Sequence, residues 1–257
     1  MNRNTAFALM LALAAAPAFA QDFAALDSLH DDKRLAEERT ALNGLYDKSD
    51  PQAAVVFRII RCLQETAVQM PKAQKSEKLA KFDEALSFGK PLLYGARGSA
   101  TDRAKVLYWY GVAMGQKGQT LGVLNALFMA GDIRAVCDKA IALDPGYGDP
   151  YYLKAKLDDA IPTVAGGDKA RMGQLYAQAL ALDPANIWYL TDFAVALKSR
   201  NKNAAWNKDG GKGVPVGLSD MDYAVQLAKR AVSAFDALSK PTIDQRKKMD
   251  EMKAAGL

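Results

Sequence analysis

The chain has 257 residues, half of them apolar and a quarter charged, an ordinary globular composition that excludes disorder as its main state. Lys+Arg 34 against Asp+Glu 29 leaves +5, too mild and too evenly spread for the dense basic surface that duplex nucleic acid demands, so no nucleic-acid partner is expected. One histidine, His30, and two cysteines, Cys62 and Cys137, remove most metal sites, His-based triads and disulfide-stapled scaffolds.

The first twenty residues read as an export signal. A short basic start, Met1-Asn2-Arg3-Asn4, precedes the apolar run from Ala6 to Ala16. Pro17 then breaks the run, and Ala18-Phe19-Ala20 supplies a small-x-small cleavage pattern. Ala6 to Ala20 is 15 residues, short of the roughly 20 needed to span a bilayer. A retained anchor helix is the alternative. Cleavage after Ala20 leaves 21–257 as one exported domain, expected in the periplasm of a Gram-negative cell. There is no lipobox, because the first cysteine is Cys62. Both cysteines sit in apolar helical runs, VVFRIIRCL and IRAVCDKAIAL. An oxidising compartment permits a Cys62–Cys137 disulfide, and buried free thiols account for them equally well.

A repeat organises the middle of the chain. DKAIALDP (138–145) returns as AQALALDP (177–184), an offset of 39 residues, and an aromatic pair follows each copy: Tyr151-Tyr152, then Trp188-Tyr189. Ile133, Cys137 and Ala140 share the spacing of Met172, Tyr176 and Ala179, one apolar helix stripe ending at Asp-Pro. Lys78, Phe82 and Ala85 form a weaker third copy, and Ala224, Ala228 and Ala231 a fourth. Ser99, Thr101, Asp102, Asp149-Pro150 and Gly166-Gly167-Asp168 mark helix starts. Leu107, Tyr110, Gly111 and Met114 fit half of a tetratricopeptide signature with altered aromatics. No sustained period-2 alternation predicts strands. The expected fold is all-α, an α-solenoid-like, tetratricopeptide-like array of nine to eleven helices in a single domain. Residues 201–217 are expected to be an exposed loop, and the tail 240–257 a helix.

Reactive constellations are scarce. Gly89-Lys90 and Gly211-Lys212 precede neither Ser nor Thr, so no phosphate loop is formed. Gly111, Gly115 and Gly118 follow a helical run and not a strand, which fails the dinucleotide-loop context. Ser199-x-x-Lys202 has no companion motif. Asp31-Asp32, Asp158-Asp159 and His30 read as solvated surface, as does the Arg246-Lys247-Lys248 cluster with its neighbouring carboxylates. No catalytic residue, metal site or cofactor is expected, and an enzyme is the weakest reading.

The surplus is apolar. In 121–131, LGVLNALFMAG, the apolar side chains surround the helix, whereas one partner needs only about a 100° stripe. Such a helix is expected to be fully buried or to line a cavity as well as the core. Tyr108-Trp109-Tyr110, Tyr151-Tyr152 and Trp188-Tyr189 add rings with polar tips, suited either to a core or to a greasy pocket between helix pairs.

Leu107-Tyr108-Trp109-Tyr110-Gly111, the run Ala140 to Asp144-Pro145-x-Tyr147-Gly148, Pro162-x3-Gly166-Gly167-Asp168-x-Ala170, Tyr176 to Leu182 and Leu227-Ala228-Lys229-Arg230-Ala231 together resemble the T-component (TatT-like) family of TRAP transporters. The resemblance covers about 100 to 235. It implies an exported helical protein that binds a small hydrophobic molecule and associates with the periplasmic solute-binding protein of a TRAP transporter, and it suggests a homo-oligomer. It carries no catalytic residues. Matching by motif places the ligand wall at Tyr108, Trp109, Val112, Phe128, Tyr151, Tyr152 and Trp188. The family includes lipoproteins, whereas no lipidation cysteine follows Ala20 here. The alternative function is a generic protein–protein interaction scaffold that holds a peptide segment in its groove while the aromatics merely pack.

Overall fold

The computed structural model describes residues 23–93 and 97–257, so the expected signal peptide at 1–20 lies outside the described residues. The chain is all-α over that span: α1 (Phe23–Asp31), α2 (Leu35–Leu45), α3 (Ala53–Gln69), α4 (Lys75–Gly89), α5 (Ala100–Leu121), α6 (Val123–Leu143), α7 (Asp149–Ala160), α8 (Lys169–Leu182), α9 (Ile187–Arg200), α10 (Asp220–Asp236) and α11 (Ile243–Ala254). These eleven helices are the upper end of the expected number, and the tail is helical as expected.

Local chemistry sets the boundaries. Helices α6 and α8 stop just before Asp144-Pro145 and Asp183-Pro184, because a residue preceding proline is pushed out of the α region. The Ser99 and Asp168 side chains accept backbone N–H bonds at the starts of α5 and α8, and Ser219 and Thr242 form capping boxes for α10 and α11. Each repeat stripe faces the interior: Ile133, Cys137 and Ala140 on α6, then Met172, Tyr176 and Ala179 on α8, are all buried.

Helices α3, α5, α7 and α9 run side by side in the same direction. Lys105 of α5 lies 5.2 Å from the Phe57 ring of α3. A Cβ on Gly111 of α5 would stand 3.2 Å from Leu153 of α7. Tyr152 of α7 donates to Asp192 of α9 at 2.6 Å. The even-numbered helices α4, α6, α8 and α10 return antiparallel. Asp158 near the end of α7 meets Arg171 near the start of α8, and Arg200 at the end of α9 meets Asp220 at the start of α10. Apolar side chains gather in one cluster across α1–α5, another across α7–α11, and a small bridging set at Ala104, Leu107, Val136 and Ala140. In the second cluster Tyr176 stacks on Phe193, centroids 4.9 Å apart and planes 9° from parallel. The array closes on itself: Lys33, after α1, bonds Glu65 of α3 at 2.9 Å and also Asp244 of α11.

Several surface readings are corrected. His30 is buried, its Nδ1 bonded to the buried Glu38 at 2.9 Å. Glu38 also takes Arg61, so a charge network under α2 draws the ring inward. Asp158 is fully buried and bridges Arg134 and Arg171 at 2.6–2.7 Å, since opposing cations from α6 and α8 replace its water. Lys248 turns in to Asp192 at 2.8 Å, while Arg246 and Lys247 stay exposed. The loop 201–217 is anchored by buried Asn207 and Val214. Its backbone crosses α8 so tightly that a Cβ on Gly173 would sit 2.1 Å from the Lys212 carbonyl. The cysteines are buried free thiols; the disulfide is not formed.

The largest correction concerns 121–131. Gly122, at φ 122°, breaks the run, and α6 continues unbroken from Val123 to Leu143. The α6 start lies against α5 through Ala126 and Met129, where a Cβ on Gly118 would come 3.0 Å from the Ala126 Cα and 3.1 Å from the Met129 sulfur. Val123, Leu124 and Phe128 point away from that contact and are exposed. One neighbour can cover only one face, so the remaining apolar residues face outward.

Candidate tyrosine–carboxylate seam

The expected ligand wall divides. Tyr108 is buried on α5, its ring edge-on to Trp109 at 5.1 Å and to Tyr147 at 5.8 Å. Trp109 and Val112 are half-buried on the same helix. Tyr152 is buried, 5.1 Å from Tyr189 and 6.0 Å from Tyr176. Tyr151 and Trp188 are half-buried against the α7–α11 cluster. Phe128 is 81% exposed and joins none of these rings. Two clefts of about 370 and 380 Å³ lie elsewhere. One lies between α1 and the start of α11, beside Asp27, Asp31, Lys240 and Arg246; the other is beside Tyr46, Phe88 and Leu92. None of the seven wall residues lines either.

The structure instead brings together a seam between α7 and α9 that sequence reasoning missed. Asp149 and Tyr152 on α7 face Tyr189 and Asp192 on α9 in crossed fashion: Tyr189 donates to Asp149, and Tyr152 donates to Asp192. Tyr147 gives Asp149 a second hydroxyl at 2.6 Å. Both crossed pairs span 40 residues, close to the 39-residue sequence repeat. The signal was present as Asp-x-x-Tyr at one helix start and Tyr-x-x-Asp at the next, two spacings that put both members on one helix face.

The two carboxylates differ in charge environment. Burial raises Asp149 above the ordinary carboxylate range, and its two tyrosine hydroxyls do not offset that. Burial also pushes Asp192 upward, but Lys156 and Lys248 outweigh it and hold the group below its ordinary value. The tyrosines Tyr108, Tyr147, Tyr152 and Tyr176 are driven well above their usual range by burial. All four therefore stay protonated at neutral pH, and Tyr147 and Tyr152 donate their hydroxyls to Asp149 and Asp192. Burial likewise pushes the Cys62 and Cys137 thiols up to about 12, which keeps both from being nucleophiles at neutral pH.

Among the described residues no group of three or more His, Cys, Asp or Glu side chains is placed to hold a metal ion, and no helix is long and apolar enough to cross a membrane. Asp149 has its hydroxyl donors, Asp192 its two lysines and Asp158 its two arginines, so these acids spend their hydrogen-bonding capacity on joining helices. Compared with known proteins, the chain matches no family model and no curated protein.

Proposed function

We propose that this chain is a binding module of the cell envelope, a T-component-like helical scaffold that docks the periplasmic solute-binding protein of a TRAP transporter. The single observation behind a scaffold is how the aromatic surplus is used: its rings pack on one another and its hydroxyls tie α7 to α9, which makes the array stiff. A stiff parallel row of α3, α5, α7 and α9 offers a partner a preorganised surface at little ordering cost. The identity of the partner rests on the resemblance at 100–235 and on the export signal read at 1–20. The exported location and the absence of catalysis belong to this same reading.

Titration calorimetry with a TRAP solute-binding protein from the same genome tests it. Binding weakened by Trp109→Ala and Trp188→Ala, two half-buried rings on the odd-numbered row, is the expected result. No heat of binding with any such protein overturns the reading.

The second reading is the small hydrophobic ligand. Trp109, Val112, Tyr151 and Trp188 favour it, because they are only half-buried and retain apolar surface on α5, α7 and α9. Native mass spectrometry of the protein taken from the periplasm, together with a fluorescent fatty-acid probe, decides it. A retained lipid-like mass supports this reading, whereas a bare chain that ignores the probe removes it.

A further inference from the structure

Among the described residues, the most exposed large apolar side chains stand at or beside the turns along one edge of the array. The odd-numbered helices run parallel, so their C-terminal ends, and the turns that follow them, lie along one side. Those turns are 70–74, Gly122, 161–168 and 201–219. On or beside them stand Val123 (76% exposed), Leu124 (69%), Phe128 (81%), Val164 (99%) and Val216 (68%). No other described large apolar side chain reaches half exposure. The tip of the α5–α6 hairpin is also free of charge: between Lys117 and Asp132 no residue is ionisable.

The same edge is basic at its ends. Lys72, Lys75 and Lys78 surround the α3–α4 turn with Glu77, and Lys208 stands in the α9–α10 loop. Among the described residues, Lys72, Lys75, Lys78 and Lys208 have no carboxylate within ion-pair distance. The acids of the other turns are committed: Asp159 to Lys169, Asp209 to Lys212, and Asp168 to the backbone amides of α8. Exposed apolar side chains at these turns, flanked by lysines that make no ion pair, match a surface that is oily within and anionic at its rim.

We propose that this edge docks on an anionic phospholipid bilayer, with Val123, Leu124 and Phe128 entering the interface and Lys72, Lys75, Lys78 and Lys208 meeting the headgroups. A protein groove would also accept an apolar knob. The lysines at both ends of the edge, and the uncharged tip between them, favour a lipid surface. The inference goes beyond the partner reading above and does not depend on it, since it is read from lipid alone with no second protein present.

The test is flotation of a chain beginning at Gln21, which keeps all eleven helices and every apolar cluster. It is carried out with vesicles of phosphatidylglycerol and phosphatidylethanolamine, and with vesicles of phosphatidylcholine. Binding to the anionic vesicles, declining as salt is raised, is expected. The triple variant Val123→Ser, Leu124→Ser, Phe128→Ser should lose about tenfold or more in binding with an unchanged thermal melt. Lys72→Gln, Lys75→Gln and Lys208→Gln together should flatten the salt dependence. Wild-type protein that stays off anionic vesicles at low salt, or a triple variant that floats as well as wild type, overturns the proposal. So does self-association in lipid-free solution that the triple variant abolishes while vesicle binding is absent, because a second copy then covers the patch.

Discussion

Asp149 and Asp192 sit at opposite ends of one crossed seam, each half-buried and each accepting a tyrosine hydroxyl from the neighbouring helix. Nevertheless their acidities move in opposite directions. Neither the hydrogen bond nor burial distinguishes them. The difference comes from two lysines: Lys156 of α7, and Lys248, which α11 brings to Asp192 by folding back along α9. Asp149 has only neutral donors. The two acids of one seam thus acquire different chemistry from the cations that reach only one of them.

The same truncation at both sites breaks the comparison most strongly. Asp192→Ala leaves Lys248, whose side chain is 16% exposed, facing Asp192's place with only Glu251 nearby. A loss of about 3 kcal/mol is expected by urea denaturation. Asp149→Ala orphans neutral hydroxyls only, and about 1–2 kcal/mol is expected. Equal losses would mean that the lysines contribute nothing at Asp192.

Lys248→Met sharpens the contrast by giving Asp192 an environment closer to that of Asp149. It should cost about 1 kcal/mol at neutral pH and move the Asp192 pKa, followed by carboxyl NMR, upward. The pH profiles provide the finest distinction. Asp192 is depressed in the fold, so its contribution is present above the free value of 3.8 and is lost as pH falls through the lower folded value. Asp149 is raised, so its contribution is full below 3.8 and is lost as pH climbs through the higher folded value. Asp192→Asn should therefore flatten the acid limb of the stability curve, and Asp149→Asn should flatten the fall in stability as pH climbs above 3.8. Thermal melts across that range check both, and the two variants should not be interchangeable.

Helix identity was legible where periodicity and punctuation agreed. The stripes at Ile133–Ala140 and Met172–Ala179, and the Asp-Pro stops after them, follow from 3.6-residue spacing and from the sterics before proline, both local properties. The candidate site was legible only in part. Tyr152 stands out from its aromatic company, while Asp149 and Asp192 do not, because a carboxylate near a helix start reads as a helix opener until its partner is in place. His30 and Asp158 were placed on the surface for a related reason: the arginines that stabilise their environment arrive from other helices, Arg61 on α3 and Arg134 and Arg171 on α6 and α8.

The sequence by itself determined an all-helical array, its 39-residue period and the ends of its central helices, because these depend on interactions within a few turns of one chain segment. Tertiary structure decided where the apolar surplus of α6 would go. A run such as LGVLNALFMAG states how much oily surface a helix carries, but not how many neighbours are available to cover it. Here α5 covers one face at Gly118 and Ala126, and Val123, Leu124 and Phe128 remain outside. Burial depends on the number and placement of partners, and that is fixed only when all eleven helices are in position.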